Sequence, residues 1–157
     1  MTGRPLVIGL GNRMRGDDGA GAAIARRLAA EPTVSATIVR HRQLLPEMAD
    51  TVADACLVLF IDASRNLPAG QVALRDLAAV ATDPSPLGHQ MSPASLLALA
   101  DSLYGRRPPA FLLTLGGTHF ALEEALSPAV TAALPEAVAI ARRLLEDGKD
   151  RGEKDFQ

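Results

Sequence analysis

The chain has no tryptophan, one tyrosine and four phenylalanines among its 157 residues. No basic cluster with interleaved aromatics is present, so nothing in it resembles a nucleic-acid surface. A single cysteine, Cys56, excludes an internal disulfide. It sits within ACLVLFI (55–61) and reads as a small buried hydrophobe, not as a reactive thiol. Apolar runs of that length are far too short to cross a bilayer. The N-terminus opens directly into a strand-like run, with no signal-peptide pattern. Charge is nearly balanced, with 16 basic and 18 acidic residues and a net charge of −2. What is abundant is apolar: 48% of the residues, mostly Ala, Leu and Val, enough for one core of ordinary size. These features describe a soluble cytoplasmic protein with no nucleic-acid and no membrane partner.

Local patterns alternate between strand and helix. Leu6–Leu10 is a short apolar run ended by glycine and reads as a buried strand. Asp18–Ala30 reads as a helix with Arg26 and Arg27 on its polar side, ended by Glu31-Pro32. Val34–Val39 is a short β-branched strand, and Pro46–Ala55 a helix with proline in its first turn. Ala55–Ile61 carries no polar residue, as a strand covered on both faces does. Val72–Leu77 fits an edge strand, and TDPSPLG (82–88) a loop. A helix follows from Ser92 or Pro93 to Tyr104, then a strand over Ala110–Leu115. Ser127-Pro128 starts a last helix running to about Asp147, with a bend expected at Pro135. The alternation predicts one three-layer α/β/α sandwich around a mostly parallel twisted sheet. Residues 1–148 form the domain in this reading, and 149–157 a charged flexible tail.

Between the first strand and helix lies GLGNRMRGDDGAG (9–21). It has the first two glycines of the dinucleotide fingerprint but Met14 where the third belongs, and no phosphate-loop G-x-x-x-x-G-K-[ST] exists. Asp17 and Asp18 would repel an incoming pyrophosphate at the helix start. One aspartate there is an ordinary helix cap, but a tandem pair leaves one over. The loop therefore suits a cation better than an anion. Gly9 and Gly11 are read as shaping the turn more than as letting substrate or metal approach the backbone, and Asn12 as bonding to the loop backbone, with substrate contact as the alternative.

Open α/β sheets bind ligands beyond the carboxyl ends of their strands. The polar residues placed there are Asn12, Arg13, Arg15, Asp17 and Asp18; His41, Arg42 and Gln43; Asp62, Ser64, Arg65 and Asn66; His89; and Thr118 and His119. Asp62 directly follows seven apolar residues; it either caps the DASRN turn or serves as acid, base or metal ligand. Arg13 and Arg15 are either solvated or receive a substrate carboxylate. His41 is read as a rim residue. Two aspartates and His89 form a credible site for Zn²⁺, Ni²⁺ or a similar ion. No short metal motif such as H-E-x-x-H is present to specify it.

GLGNRMRGDDGAG resembles the N-terminal motif of the hydrogenase maturation endopeptidases, roughly G-x-G-N-x-x-x-x-D-[DE]-G-x-G. Later segments agree in order: RQLLPEMAD (42–50), LVLFIDAS (57–64), GHQMSPASLLALA (88–100) and LSPAVTAALPEAVAIARRLLE (126–146). The resemblance covers the chain to about Asp147. It implies a three-layer α/β fold and an endopeptidase that removes a C-terminal peptide from the [NiFe]-hydrogenase large-subunit precursor after nickel insertion. The family's metal-contacting acidic residue, strand-ending aspartate and histidine carry over as Asp18, Asp62 and His89. That leaves Asp17 as a cap or loop-shaping residue. One segment departs from the pattern: LGGTHFALEEA stands where the family often has Pro-Glu, which makes that turn more flexible and adds His119 as a candidate ligand.

Two uses of a metal follow. A resident divalent ion, zinc for example, could lower the pKa of bound water to ~7 for attack on the scissile carbonyl. Alternatively the nickel arrives with the substrate, and the trio reads whether the precursor is loaded; the resemblance favours this second use. No G-x-S-x-G elbow offers a serine nucleophile. The competing readings are a non-catalytic nickel-sensing chaperone of the same fold and a nucleotide-binding α/β module, the latter opposed by Met14 and by RHRQ after the second strand.

Overall fold

In a computed structural model describing residues 3–78 and 91–154, five strands form one sheet between two pairs of helices. The strands are β1 (Pro5–Leu10), β2 (Thr37–His41), β3 (Leu57–Ser64), β4 (Val72–Asp76) and β5 (Ala110–Gly116). The helices are α1 (Ala20–Ala29), α2 (Ala49–Asp54), α3 (Pro93–Tyr104) and α4 (Pro128–Lys154). Strand order is β2-β1-β3-β5-β4, parallel throughout except for the antiparallel edge strand β4. The expected sandwich and its edge strand are both present, and the structure makes that edge strand antiparallel.

The period of two along β3 divides the core. Leu57, Leu59 and Ile61 face α1 and α4, packing with Ile24, Leu28, Val130 and Leu134. Val58 and Phe60 face α2 and α3, packing with Val52, Leu96, Leu97 and Ala100. A strand buried on both faces needs apolar residues at every position, which is why 57–61 carries no polar group. α1 reaches its layer through Ala20, Ile24, Ala25 and Leu28, all buried, while Arg26 and Arg27 remain exposed.

Several boundaries differ from the sequence expectation. The first helix begins not at Asp18 but at Ala20, after a 3-10 turn over Gly16–Gly19. β2 lies at 37–41, not 34–39. Its edge position lets Arg40 and His41 pair with Gly9 and Leu10 while their side chains meet solvent. The second helix opens as a 3-10 turn, Pro46–Met48. β3 continues past Ile61 because β5 keeps pairing with it, Asp62 against Thr114 and Ser64 against Gly116. Asp62 is thus inside the strand, not after it. α4 runs on through Pro135 to Lys154, so the segment from 149, expected as a flexible tail, is helical up to that residue.

Candidate active site

The first loop is a set of backbone bonds before it is anything else. Gly11 has φ of +118°, a region that favours glycine, and a Cβ there would overlap the Asp18 carbonyl oxygen. Asn12 closes the turn, its Oδ1 accepting from the Met14 amide at 2.9 Å. The Asn12 amide in turn donates to Asp18 Oδ2 at 2.7 Å. The loop therefore fixes one oxygen of Asp18 and holds that carboxylate at the carboxyl end of β1. This is the backbone-bonding role expected of Asn12.

The tandem aspartates separate sharply. Asp17 is fully buried. Its Oδ2 accepts from the amides of Thr118 at 2.8 Å and His119 at 3.0 Å, and its Oδ1 from the Ser127 amide at 2.7 Å. Burial on its own would raise the Asp17 carboxyl; the three donors outweigh it and hold the group below its ordinary value. Asp17 makes no cap bond to its own helix. It shapes the distant β5–α4 loop instead, so of its two expected roles the loop-shaping one applies.

That loop is bound from several sides. The Asp17 amide donates to the His119 carbonyl and the Gly16 amide to the Glu123 carbonyl, each at 2.7 Å. The Gly117 amide donates to the Ser64 carbonyl at 2.9 Å. A Cβ on Gly117 would lie 2.8 Å from Asp17 Cβ and 2.8 Å from Phe120 Cζ. The Gly116-Gly117 pair therefore permits a close approach between loops, where flexibility was the expectation. The Arg65 guanidinium stacks 3.9 Å from the Phe120 ring centroid. His119, half-exposed, points its Nε2 at Glu123 Oε1, 3.4 Å away.

Asp62 is the perturbed group. The alternation that sends Val58 and Phe60 toward α2 and α3 puts Asp62 on the same face, at the strand's carboxyl end. Burial pushes its carboxyl up to about 6; the Ala63 amide, donating to Oδ1 at 2.8 Å, opposes this, and the negative charge of Asp18 reinforces it. The fold thus brings Asp18 and Asp62 into electrostatic contact across β1 and β3, which are adjacent and parallel. His89 lies outside the described residues; the first described residue after it, Met91, bridges to Leu44 beyond β2. Among the described residues no three His, Cys, Asp or Glu side chains gather as a metal cluster.

The remaining rim residues divide. His41 is exposed, and its carbonyl accepts from the Gly11 amide at 3.0 Å. Arg13, Arg15 and Arg42 are exposed. Cys56 is half-buried against the α1–α4 side of the core, and burial raises its thiol, which leaves it without thiolate character. Among the described residues no helix is long and apolar enough to cross a membrane. The convergence of Arg13, Arg26, Arg27 and Arg40 on one groove was not evident from their places in the sequence. Arg40 lines it from β2, where it pairs with Gly9 of β1.

Comparison with protein-family models and with curated protein sequences finds no match. Comparison with solved structures does. The chain is similar to the [NiFe] hydrogenase maturation protease HybD from Thermococcus kodakarensis, with 25% identity, a TM-score of 0.71, and 90% of this chain and 99% of that one covered. It is similar in fold to the hydrogenase maturating endopeptidase HybD from E. coli, with 21% identity and a TM-score of 0.71 over 92% and 93% of the two chains. A hydrogenase 2 maturation peptidase from a Thaumarchaeota archaeon follows at 22% identity and a TM-score of 0.64, over 90% of this chain and 97% of that one. Taken with the ordered motifs and the carboxylate pair at the sheet's rim, these likenesses show that the chain has the fold of the hydrogenase maturation endopeptidases and resembles them over nearly its whole length.

Proposed function

We propose that the chain removes the C-terminal extension of a [NiFe]-hydrogenase large-subunit precursor, in the cytoplasm, once nickel has been inserted. In this reading Asp18, Asp62 and His89 meet the nickel that the precursor carries. The observation that supports it best is the Asp18–Asp62 pair. Two carboxylates that repel one another where one is partly dehydrated form a charge pattern that a divalent cation relieves. Two carboxylate oxygens and an imidazole nitrogen are also a donor set suited to Ni²⁺ or Zn²⁺. The chain's own residues supply the positioning: the Asn12 amide orients Asp18, and the Ala63 amide orients Asp62.

The test is cleavage followed by mass spectrometry. Nickel-loaded precursor should lose its C-terminal peptide on incubation with the protein, and nickel-free precursor should remain intact. Asp18→Asn or His89→Ala should abolish the mass loss while far-UV circular dichroism and melting stay close to wild type. Processing retained by both variants would reject the assignment. Cleavage of nickel-free precursor on addition of Zn²⁺ would instead make the metal the enzyme's own. Binding of loaded precursor without cleavage would identify a nickel-sensing chaperone.

A further inference from the structure

A depression of about 770 Å³ lies away from Asp18 and Asp62. It runs between α1 and the start of α4, and its charged lining is Arg13, Arg26, Arg27 and Arg40 against Glu124 alone. A second depression of about 380 Å³ shares Arg13, Ala22 and Arg40 with it and continues along Gly11 and Asn12, in the loop that holds Asp18. All four arginines are exposed, and among the described residues none of their side chains makes an ion pair or hydrogen bond. The concentration of positive charge is local, because the whole chain carries −2. Ala22, Ala23 and Ala30, with Leu126 and Leu134, give the groove a small-residue, apolar floor.

We propose that this groove docks an acidic segment of the precursor protein, holding it alongside the loop that carries Asp18. The proposal rests on the reading that a protein precursor is the substrate. Charge complementarity selects the occupant: unpaired guanidinium groups over an apolar floor suit carboxylates spaced along a peptide. The groove's lining has no aromatic side chain on which bases could stack, which disfavours a single-stranded nucleic acid. The arginines come from a loop, a strand and a helix, and such a spread suits an extended chain better than one phosphate.

Fluorescence anisotropy with a short labelled glutamate-rich peptide tests this directly. The full chain should bind it, more weakly as salt rises, and more tightly than a glutamine-rich peptide of equal length. Arg26→Glu with Arg27→Glu should weaken binding about tenfold or more, whereas Arg75→Glu, on the exposed part of edge strand β4, should not. In the cleavage assay the double variant should raise KM for the precursor about tenfold. Arg40→Glu and the wild-type salt dependence provide the same information if the double variant melts early. Equal binding of acidic and neutral peptides, or equal binding by wild type and both groove variants, would overturn the proposal. So would tighter binding of a single-stranded oligonucleotide of matched charge, or of inorganic pyrophosphate, at these arginines. Should wild type fail to cleave any precursor, the activity reading fails while the peptide measurements still judge the groove.

Discussion

Asp62 carries a stability penalty that its proposed role accounts for. Its carboxyl titrates at about 6 in the folded chain against an ordinary 3.8, with burial as the leading cause. Between those values the folded state holds a proton that the unfolded chain releases, so this group's contribution to stability falls as pH rises from about 4 through 6. Asp62→Asn removes the buried charge and can still accept from the Ala63 amide. It should therefore stabilise the metal-free protein by about 1–3 kcal/mol at pH 8, with little effect near pH 4. Urea unfolding at the two pH values, in the presence of a chelator, measures the difference; a variant less stable than wild type at pH 8 would contradict it. The same substitution should eliminate processing of nickel-loaded precursor. At this scale the pair Asp18 and Asp62 was visible in the sequence, because a tandem acid in a glycine turn and an acid closing an apolar run are local anomalies. The burial that perturbs Asp62 was not, since it depends on what packs above the strand end.

Between elements, Asp17 acts as a bolt. Its two oxygens join the turn after β1 to the β5–α4 loop and to the amide just before α4. Asp17→Ala leaves three amide donors without their acceptor in a buried place and should cost about 3 kcal/mol or more at pH 7, read from the urea midpoint. The carboxyl's folded value lies below 3.8, so its stabilisation is complete above about pH 4 and is lost as pH falls through that lower value. The deficit of the variant should accordingly shrink in strong acid, and a deficit independent of pH would mean that lost packing, not the charge, is responsible. A helix cap was the natural reading of an aspartate before an alanine-rich run. The actual partners lie 101–110 residues away, a separation no local pattern encodes. Element types were legible for the opposite reason: apolar runs, prolines and glycines act on their immediate neighbours. Boundaries slipped where pairing extended a strand, as β5 does for β3 past Ile61.

For the whole molecule, β3 is common to both halves of the core, as are its neighbours β1 and β5. Leu59 and Phe60 are adjacent and fully buried, one facing the α1–α4 layer and the other the α2–α3 layer. If the layers fold as one unit, Leu59→Ala and Phe60→Ala should each cost about 3–5 kcal/mol and each leave a single unfolding transition. Far-UV circular dichroism and hydrogen exchange across both helix pairs check this. Loss of protection confined to one layer in either variant would show two separable units.

The sequence by itself determined the layered architecture, the turn after β1 and the identity of the two rim carboxylates. Periodicity, chain punctuation and misplaced charge are properties of residues within a few positions of one another. Only the tertiary structure decided that Asp17 is spent on a remote loop and that Asp62 titrates near 6. It alone drew four scattered arginines along one groove. Burial, field and shape arise from segments distant in sequence, and the strand order β2-β1-β3-β5-β4 is what brings those segments together.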